Sequence, residues 1–266
     1  ARPGAGRHVV TTAVEHSAVT EAVARGAEEV TVVGVDRSGR IDPAEVVSAV
    51  RPDTALVSVQ LANHEVGTVQ PVADVVGLLG TDRPLLHVDA CAAVGRIPVS
   101  FTELGVDLCS VTAHKWGGPP GAGALLVRRG LRLPAFLVGG AQERARRGGL
   151  EDVPAWVAFG AACAATDVAA EAVTQRALVD RAATVLDTVP GLVRYGDGSL
   201  PHLLCLGVEG VEAEPILLAL DQHGVAVHSG SSCSSEMLEP SPVLAAMGVD
   251  AERSLRVSVG WSSTRS

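Results

Sequence analysis

Lysine is nearly absent from this 266-residue sequence, which has a single one, Lys115, among 21 basic residues. The other basic residues are arginines, 21 − 1 = 20 of them. Arginine replaces lysine at most surface positions, but a guanidinium cannot supply the neutral amine that condenses with a carbonyl group. Lys115 is therefore a candidate for covalent chemistry. The alternative is that one lysine remained by chance.

Other features that the sequence lacks exclude several classes of protein. The net charge is −9, so we expect no clustered basic surface for nucleic-acid phosphates. The five cysteines are an odd number, and no pair has the C-x-x-C spacing of zinc ribbons. No apolar run is long enough to span a bilayer, and the first residues contain no signal-peptide core. We therefore expect no nucleic acid, metal or membrane partner, and a reduced, cytoplasmic setting.

The first half of the chain alternates short apolar runs with helical patterns. Predicted strands lie at 8–12, 29–35, 54–60, 85–88, 106–111 and 122–127. Strands separated by helices indicate βαβ units and a mostly parallel sheet. The sequence therefore predicts an α/β fold with a mostly parallel central sheet flanked by helices.

The pattern changes after Pro134. A Gly- and Arg-rich loop, 139–149, precedes a long helix predicted over 152–188. Strands predicted at 202–208, 225–227 and 254–259, with helices at 214–223 and 242–247, indicate a smaller α+β unit. We place the boundary near residue 167, so that residues 1–167 form a large domain and residues 168–266 a small C-terminal domain.

Two predicted strand ends carry polar groups. The apolar run 85–89 ends in Asp89, and ligands in α/β sheets bind beyond the carboxyl ends of strands. Asp89 could hold a ring nitrogen protonated, or only cap a helix. The run 110–123 leads through Thr112 into His114, Lys115 and a glycine-rich turn. That arrangement suits a Schiff base over a bound phosphate, and an ordinary polar strand end is the alternative.

Cys233 lies in a run of glycine and serine, VHSGSSCSSE. Structural cysteines prefer apolar surroundings, and a cysteine in a polar loop is better placed to react. We interpret Cys233 as a candidate nucleophile. The alternative is a surface cysteine without a role.

Eight short motifs occur in the order found in NifS-like cysteine desulfurases, and the sequence resembles that family. They are E-H-x-A-V (15–19), N-[NH]-E-x-G (63–67), H-V-D-A (87–90), H-K before a glycine turn (114–115), G-x-Q-E-R (140–144), S-G-S-x-C (229–233), L-E-P-S (238–241) and S-x-R-x-S-x-G (254–260). Each motif alone is weakly specific, but together they cover nearly the whole chain. The family belongs to the class V aminotransferase-like, fold-type I pyridoxal-phosphate enzymes.

The resemblance implies the cofactor pyridoxal 5'-phosphate and a set of residues that bind it. Lys115 is implied to hold the cofactor covalently and to shuttle protons. Asp89 is implied to pair with the pyridinium nitrogen, and His16 to stack on the ring and assist proton transfer. Thr112 and His114 are implied to contact the phosphate.

The resemblance also implies the reaction, which converts L-cysteine to L-alanine and leaves the sulfur on Cys233 as a persulfide. Arg256 is implied to bind the substrate carboxylate, since a guanidinium suits bidentate contacts, and Asn63 to be a second substrate contact. A mobile cysteine loop is implied to carry the sulfur to an acceptor protein, in processes such as iron–sulfur cluster assembly or tRNA thiolation. The family is implied to act as a homodimer.

The sequence departs from the family's pattern at several positions. The usual second asparagine of N-N-E is His64, and a common glutamine three residues after Asp89 is Ala92. We hypothesise that His64 fills the space left by Ala92 and alone contacts the ring's 3-oxygen; the alternative is that His64 only packs. A phosphate-binding threonine of the family is Leu150, and Trp261 replaces a frequent arginine. An N-terminal Gly-Thr turn and the final helices are missing, so we expect the sequence to be incomplete.

Two other functions remain open. The first is a selenocysteine lyase or another C–S lyase on the same scaffold, which need not form a persulfide on Cys233. The second is a non-catalytic remnant that binds a partner or only dimerises. Leu150 and the missing Gly-Thr turn favour the remnant, whereas the retained Lys115, Asp89 and Cys233 oppose it.

Overall fold

The fold, taken from a computed structural model, is described for residues 6–229 and 240–264 and contains two sheets. The strands of the first sheet are β1 (His8–Thr12), β2 (Glu29–Val33), β3 (Thr54–Gln60), β4 (Leu85–Asp89), β5 (Leu108–Thr112) and β6 (Gly123–Val127). Their order is β2-β1-β3-β4-β5-β6, with β6 antiparallel to β5 and all other pairs parallel. The predicted mostly parallel sheet is confirmed.

The core of this sheet is built from valine-rich strands. Val57 and Val59 on β3 and Leu86 and Val88 on β4 are at most 1% exposed. Branched side chains pack well on a pleated surface that is covered on both faces. The connecting helices are α1 (Ser17–Gly26), α2 (Pro43–Ser48), α3 (Val72–Leu79) and α4 (Phe101–Leu104). Residues of α2 and α3 belong to the same core cluster as the two central strands.

The second sheet is antiparallel and lies in the C-terminal part of the chain. Its strands are β7 (Leu192–Tyr195), β8 (Leu203–Val208), β9 (His228–Ser229) and β10 (Ser254–Ser258), in the order β7-β8-β10-β9. The remaining helices are α5 (Gln142–Ala145), α6 (Val153–Ala165), α7 (Val168–Leu186), α8 (Ala213–Gln222) and α9 (Pro242–Ala246). Val179 and Ala183 of α7 pack on Leu204 and Leu206 of β8. The domain boundary near residue 167 stays a prediction.

The prediction of one long helix over 152–188 was wrong, because the chain breaks between α6 and α7. Thr166 is extended, and the side chain of Asp167 accepts a hydrogen bond from the Ala170 amide at 3.0 Å. An aspartate at this position caps a new helix, and the two helix axes differ by 72°. Within residues 6–229 and 240–264 no single helix is long and apolar enough to cross a membrane, and only this bent pair would pass by length and composition.

Smaller differences lie elsewhere in the C-terminal half. The loop predicted over 139–149 contains α5, in which Glu143 and Arg144 have the positive φ values 49° and 59°. The strand β7 was not predicted. The strand predicted at 225–227 is displaced, and the pairing with β10 occurs at His228–Ser229.

A second core cluster joins the two parts of the chain. Val14 follows β1 and Val66 follows β3, and both contact buried residues of the C-terminal part, including Val243 and Leu244 of α9. Helix α9 therefore packs against the loops that follow β1 and β3.

Candidate active site

Four of the predicted site residues follow or end strands at one edge of the first sheet. His16 follows β1, His64 follows β3, Asp89 ends β4, and Lys115 follows β5. These four strands are parallel neighbours in the sheet, so their carboxyl ends lie side by side. This is the edge at which ligands bind in α/β sheets.

Asp89 and Lys115 both lie close to Cys91. The Oδ1 atom of Asp89 accepts a hydrogen bond from the Cys91 amide at 2.9 Å. Burial, and then the negative charge of Asp89, raise the pKa of the Cys91 thiol, and the positive charge of Lys115 opposes that shift. Cys91 therefore keeps its proton at neutral pH, and it lies within electrostatic range of both the carboxylate and the amine.

Lys115 is the middle residue of a single 3-10 turn, His114–Trp116. Its backbone carbonyl accepts a hydrogen bond from Arg96 Nη2 at 2.7 Å, and the next residue, Trp116, is buried. Gly95, with φ 79°, lies so close to the indole that an added Cβ would come within 2.6 Å of Trp116 Cβ. The backbone is thus fixed at the Lys115 carbonyl and at the following residue, while the Lys115 side chain stays partly exposed.

The two candidate phosphate ligands contact each other. Thr112 Oγ1 and His114 Nδ1 are 2.9 Å apart. The hydroxyl also lies 3.4 Å from the carbonyl oxygen of Ala122, which directly precedes β6, the strand antiparallel to β5. A hydroxyl and an imidazole at a strand end are suitable donors for an anion.

His16 and His64 form a pair of imidazoles. The His16 Nδ1 atom accepts a hydrogen bond from the Ala18 amide at 3.1 Å and so caps α1. The two ring centroids are 5.1 Å apart with an interplanar angle of 67°. The His64 carbonyl accepts a hydrogen bond from Arg256 Nη1 at 3.1 Å, which connects β10 to the site.

Asn63 is fully buried and shapes the loop that carries His64. Its Oδ1 atom accepts hydrogen bonds from the amides of Glu65 at 2.8 Å and Val66 at 2.9 Å, and its Nδ2 atom donates to the Val14 carbonyl at 3.2 Å. Its predicted contact with substrate stays a prediction.

Glu15 lies within electrostatic range of Asp89. It was not predicted as a site residue, although it belongs to the motif E-H-x-A-V. Its Oε1 atom accepts hydrogen bonds from Thr12 Oγ1 at 2.7 Å and from the Gln60 amide at 2.8 Å. Burial raises the pKa of Glu15 to about 8, the two hydrogen bonds oppose this shift, and the charge of Asp89 adds to it. Glu15 is therefore mostly protonated at neutral pH.

A polar row lies on the sheet beneath Asp89. His87 Nδ1 and Ser58 Oγ are 2.8 Å apart, and His87 Nε2 and Ser110 Oγ are also 2.8 Å apart. Residues two apart on a strand point to the same face, so His87 lies on the face of Asp89. Burial lowers the pKa of His87, which favours the neutral ring.

His202 marks a cationic corner of the site that sequence patterns did not reveal. Burial lowers the pKa of His202 to about 3, and the charges of Arg96, Arg256, Arg176 and Lys115 contribute in that order. Such a concentration of positive charge around a neutral imidazole suits the binding of carboxylate or phosphate groups. His202 precedes β8, outside all eight motifs, and its carbonyl accepts a hydrogen bond from the Val259 amide, which follows β10, at 2.9 Å.

Cys233, the predicted nucleophile, lies outside the described residues, as does most of the S-G-S-x-C motif. Ser229 and Ser241 flank that segment within the described part of the chain. Leu150, at the position of a phosphate-binding threonine, is 88% exposed. No group of three or more His, Cys, Asp or Glu side chains in the described ranges has the arrangement of a metal site.

The chain is similar to known proteins in family, sequence and structure. The model of the aminotransferase class-V family matches residues 1–266. A cysteine desulfurase IscS from Methanosarcina thermophila is 37% identical over 269 residues, which cover 97% of this chain and 67% of that protein. A cysteine desulfurase IscS from Anaeromyxobacter dehalogenans is 42% identical over 273 residues, with 97% and 67% covered.

Solved structures give the same result. A NifS-like protein superimposes with a TM-score of 0.88 and 32% identity, over 98% of this chain and 71% of that one. DndA from Streptomyces lividans has a TM-score of 0.79 and 34% identity, over 95% and 74% of the two chains. The present sequence thus spans about two thirds to three quarters of the length of these relatives. With these similarities and the predicted strand-end residues in one place, the chain belongs to the class V aminotransferase family and, within it, to the cysteine desulfurases.

Proposed function

We propose that this protein is a pyridoxal 5'-phosphate-dependent cysteine desulfurase that converts L-cysteine to L-alanine and transfers the sulfur to Cys233. The observation that carries the proposal is the placement of Lys115 and Asp89. The only amine side chain of the sequence and the carboxylate at the end of β4 lie at the ends of the neighbouring parallel strands β5 and β4, and both are within electrostatic range of Cys91.

The residues at this edge fit the proposed cofactor. Lys115 would bind it covalently, and Asp89 would pair with the ring nitrogen, because a carboxylate beside a cationic ring stays ionised. His16 would lie against the ring, and Thr112 and His114 would donate to the phosphate. The bound cofactor supplies an electron sink that weakens the bonds of the substrate's α-carbon.

The substrate carboxylate would enter the cationic corner. Arg256 would bind it, and the adjoining positive charges of Arg96 and Arg176 would raise its local concentration. His202 stays neutral there and would add no charge. Asn63 would act mainly by holding the His64 loop in shape, with its substrate contact as a further expectation.

The sulfur transfer balances without an external oxidant. The Cys233 thiolate attacks the Sγ atom of L-cysteine, a sulfur–sulfur bond forms, and the substrate's Cβ–Sγ bond breaks. The electron pair returns to Cβ, which takes up a proton, so that a thiol and L-cysteine become a persulfide and L-alanine. Lys115 would move protons at the α-carbon.

The proposed partners follow from this reaction. An acceptor protein takes the persulfide sulfur, and iron–sulfur cluster assembly and tRNA thiolation are processes that use such sulfur, in a cytoplasmic setting. A homodimer is supported by α6, which is described in full, has no buried residue and exposes Val153, Trp156 and Val157. A groove of about 860 Å³ between β6 and α6 adds further apolar surface.

The proposed function is tested by loading the chain with pyridoxal 5'-phosphate, reducing it with borohydride and locating the modified residue by mass spectrometry. We expect the modification on Lys115, alanine formation from L-cysteine, and loss of both in Lys115→Ala. Cys233→Ser should retain the modification and lose alanine formation. Continued sulfide release by Cys233→Ser would indicate a C–S lyase, and absence of modification at Lys115 would indicate a non-catalytic remnant.

A further inference from the structure

We propose that Glu65 is a positioning residue that fixes the ring of His64, with Ser241 from the C-terminal part of the chain as its support. The inference rests on the proposed function, in which His64 contacts the cofactor ring. It concerns residues that are all described, although they are separated by 176 positions along the chain.

The contacts form a continuous path from α9 to the site. Glu65 and Ser241 are 2% and 1% exposed, and the Ser241 hydroxyl donates a hydrogen bond to Glu65 Oε2. The other carboxylate oxygen, Glu65 Oε1, lies 3.5 Å from His64 Nε2. The ring of His64 then meets the ring of His16. The Glu65 carboxylate therefore contacts Ser241 in the C-terminal part of the chain and His64 in the loop after β3.

The direction of the Ser241 hydrogen bond is set by α9. The amide of Leu244 donates to Ser241 Oγ at 3.1 Å, so the hydroxyl oxygen is an acceptor there and its own proton is available for Glu65. Val243 and Leu244 are buried against Val14 and Val66, which hold α9 against the loops of the site. Ser241 is thus a fixed donor, and it orients the carboxylate.

The carboxylate in turn selects the form of His64. A carboxylate oxygen accepts hydrogen bonds, so Glu65 Oε1 at 3.5 Å favours a proton on the ring nitrogen that faces it, Nε2. With a proton on Nε2, the ring cannot turn over without losing its partner. Two titratable or charged groups lie near this pair: Glu15, which is mostly protonated at neutral pH and interacts electrostatically with His64 when it ionises, and Arg256, which binds the His64 carbonyl.

Both the backbone and the ring of His64 are therefore held by the C-terminal part of the chain. Arg256 holds the carbonyl, and Ser241 acts on the ring through Glu65. A change at Ser241, buried behind the site, should consequently alter the cofactor environment without touching the cofactor.

The test compares Glu65→Ala, Ser241→Ala and Ser241→Thr with Ser100→Ala. Ser100 caps α4 through a hydrogen bond from the Glu103 amide at 3.3 Å and is not part of the path from α9 to His64, so its variant controls for loss of a helix cap. Ser241→Thr retains the hydroxyl. Each protein is first examined without cofactor by NMR after ¹⁵N labelling of histidine, with the His64 signals assigned from His64→Asn.

In the unmodified protein we expect a protected Nε2–H signal from His64. It should vanish in Glu65→Ala and exchange about tenfold faster in Ser241→Ala, as the loss of one hydrogen bond implies. Ser241→Thr and Ser100→Ala should behave like the unmodified protein. After cofactor loading, the visible absorbance pH titration should shift in Glu65→Ala and Ser241→Ala alone.

Two results separate this inference from the proposed function. If the chain forms no alanine but the His64 signal responds as described, the positioning role stands and the proposed reaction fails. If Ser241→Ala and Glu65→Ala are folded and the His64 signal is unchanged in both, the positioning role is overturned, whatever the activity. Ser241→Ala removes only a hydroxyl group, so we expect it to fold. If Glu65→Ala does not fold, the His64 signal of Ser241→Ala alone decides the test.

Discussion

The ring of His16 lies edge-on to the ring of His64, with their centroids 5.1 Å apart and their planes inclined by 67°. His16 follows β1 and His64 follows β3, and these strands are parallel neighbours. In this arrangement the positive edge of one ring meets the electron-rich face of the other. The contact also places His64 beside the residue that is expected to stack on the cofactor.

The first prediction concerns His64→Ala in the cofactor-loaded protein. If the doubly protonated ring of His64 donates Nδ1–H to the 3-oxygen anion while Nε2–H faces Glu65, it stabilises the deprotonated form of the bound cofactor. Its loss should then move the midpoint of the visible absorbance pH titration upward by about one unit. His223→Ala, on the exposed end of α8, is the matched control and should leave the midpoint in place. A titration that is the same in His64→Ala would show that His64 only packs.

Much of the first sheet could be predicted from the sequence. The bounds of β1 and β3 agree with the structure, because each is an apolar run that ends at a polar residue. The break at Thr166–Asp167 could not be predicted as easily. An aspartate within an alanine-rich run looks like any exposed helical residue until its side chain is seen to cap the Ala170 amide.

The candidate site likewise has a part that could be predicted from the sequence and a part that could not. Lys115 and Asp89 follow strand-like runs, so their convergence follows from the parallel sheet. The neutral state of His202 could not be predicted, because the arginines that surround it come from distant parts of the chain. The contact between Ser241 and Glu65 likewise exists only through the packing of α9 on two loops.

The second prediction concerns the stability contributed by Asp107, which is buried between Arg83 and Arg128. Burial opposes its ionisation, but hydrogen bonds from the Leu86 amide at 2.9 Å, from Arg128 at 2.6 Å and from Arg83 outweigh burial and lower the pKa of Asp107. Asp107→Asn removes the negative charge that pairs with Arg83, whose side chain is 11% exposed, so we expect a loss of about 3 kcal/mol in the free energy of unfolding. Urea unfolding at pH 7 measures this difference in the free energy of unfolding.

The pH dependence of this effect has a definite sign. Because the folded-state pKa of Asp107 is lowered, its contribution is present above the unfolded value of about 3.9 and disappears as the pH falls through the folded value. The difference between the unmodified protein and Asp107→Asn should therefore shrink in acid. Asp187→Asn removes a surface pair with Arg194, both about half exposed, and should cost less than about 1 kcal/mol. Equal losses at the two positions would contradict the prediction.

The third prediction concerns Glu15, whose carboxyl group is buried behind Asp89 and has a pKa of about 8. In the unfolded chain a glutamate ionises near pH 4.3, so between about pH 4 and about pH 8 the folded state binds one more proton. Stability should therefore fall with rising pH across this window, by about 1.4 kcal/mol per pH unit from this group. Glu15→Gln retains an oxygen that accepts the hydrogen bonds of Thr12 and Gln60 and does not ionise, so this part of the slope should vanish.

The measurement is urea unfolding of the cofactor-free protein at several pH values from 5 to 8. Without cofactor, any change in slope belongs to the protein's own groups. Glu214→Gln, at an exposed position of α8, is the matched control, and its profile should follow that of the unmodified protein. If Glu15→Gln followed it too, Glu15 would already be ionised in the folded state. Two negative charges, those of Glu15 in the loop after β1 and of Asp89 at the end of β4, would then lie within electrostatic range of each other.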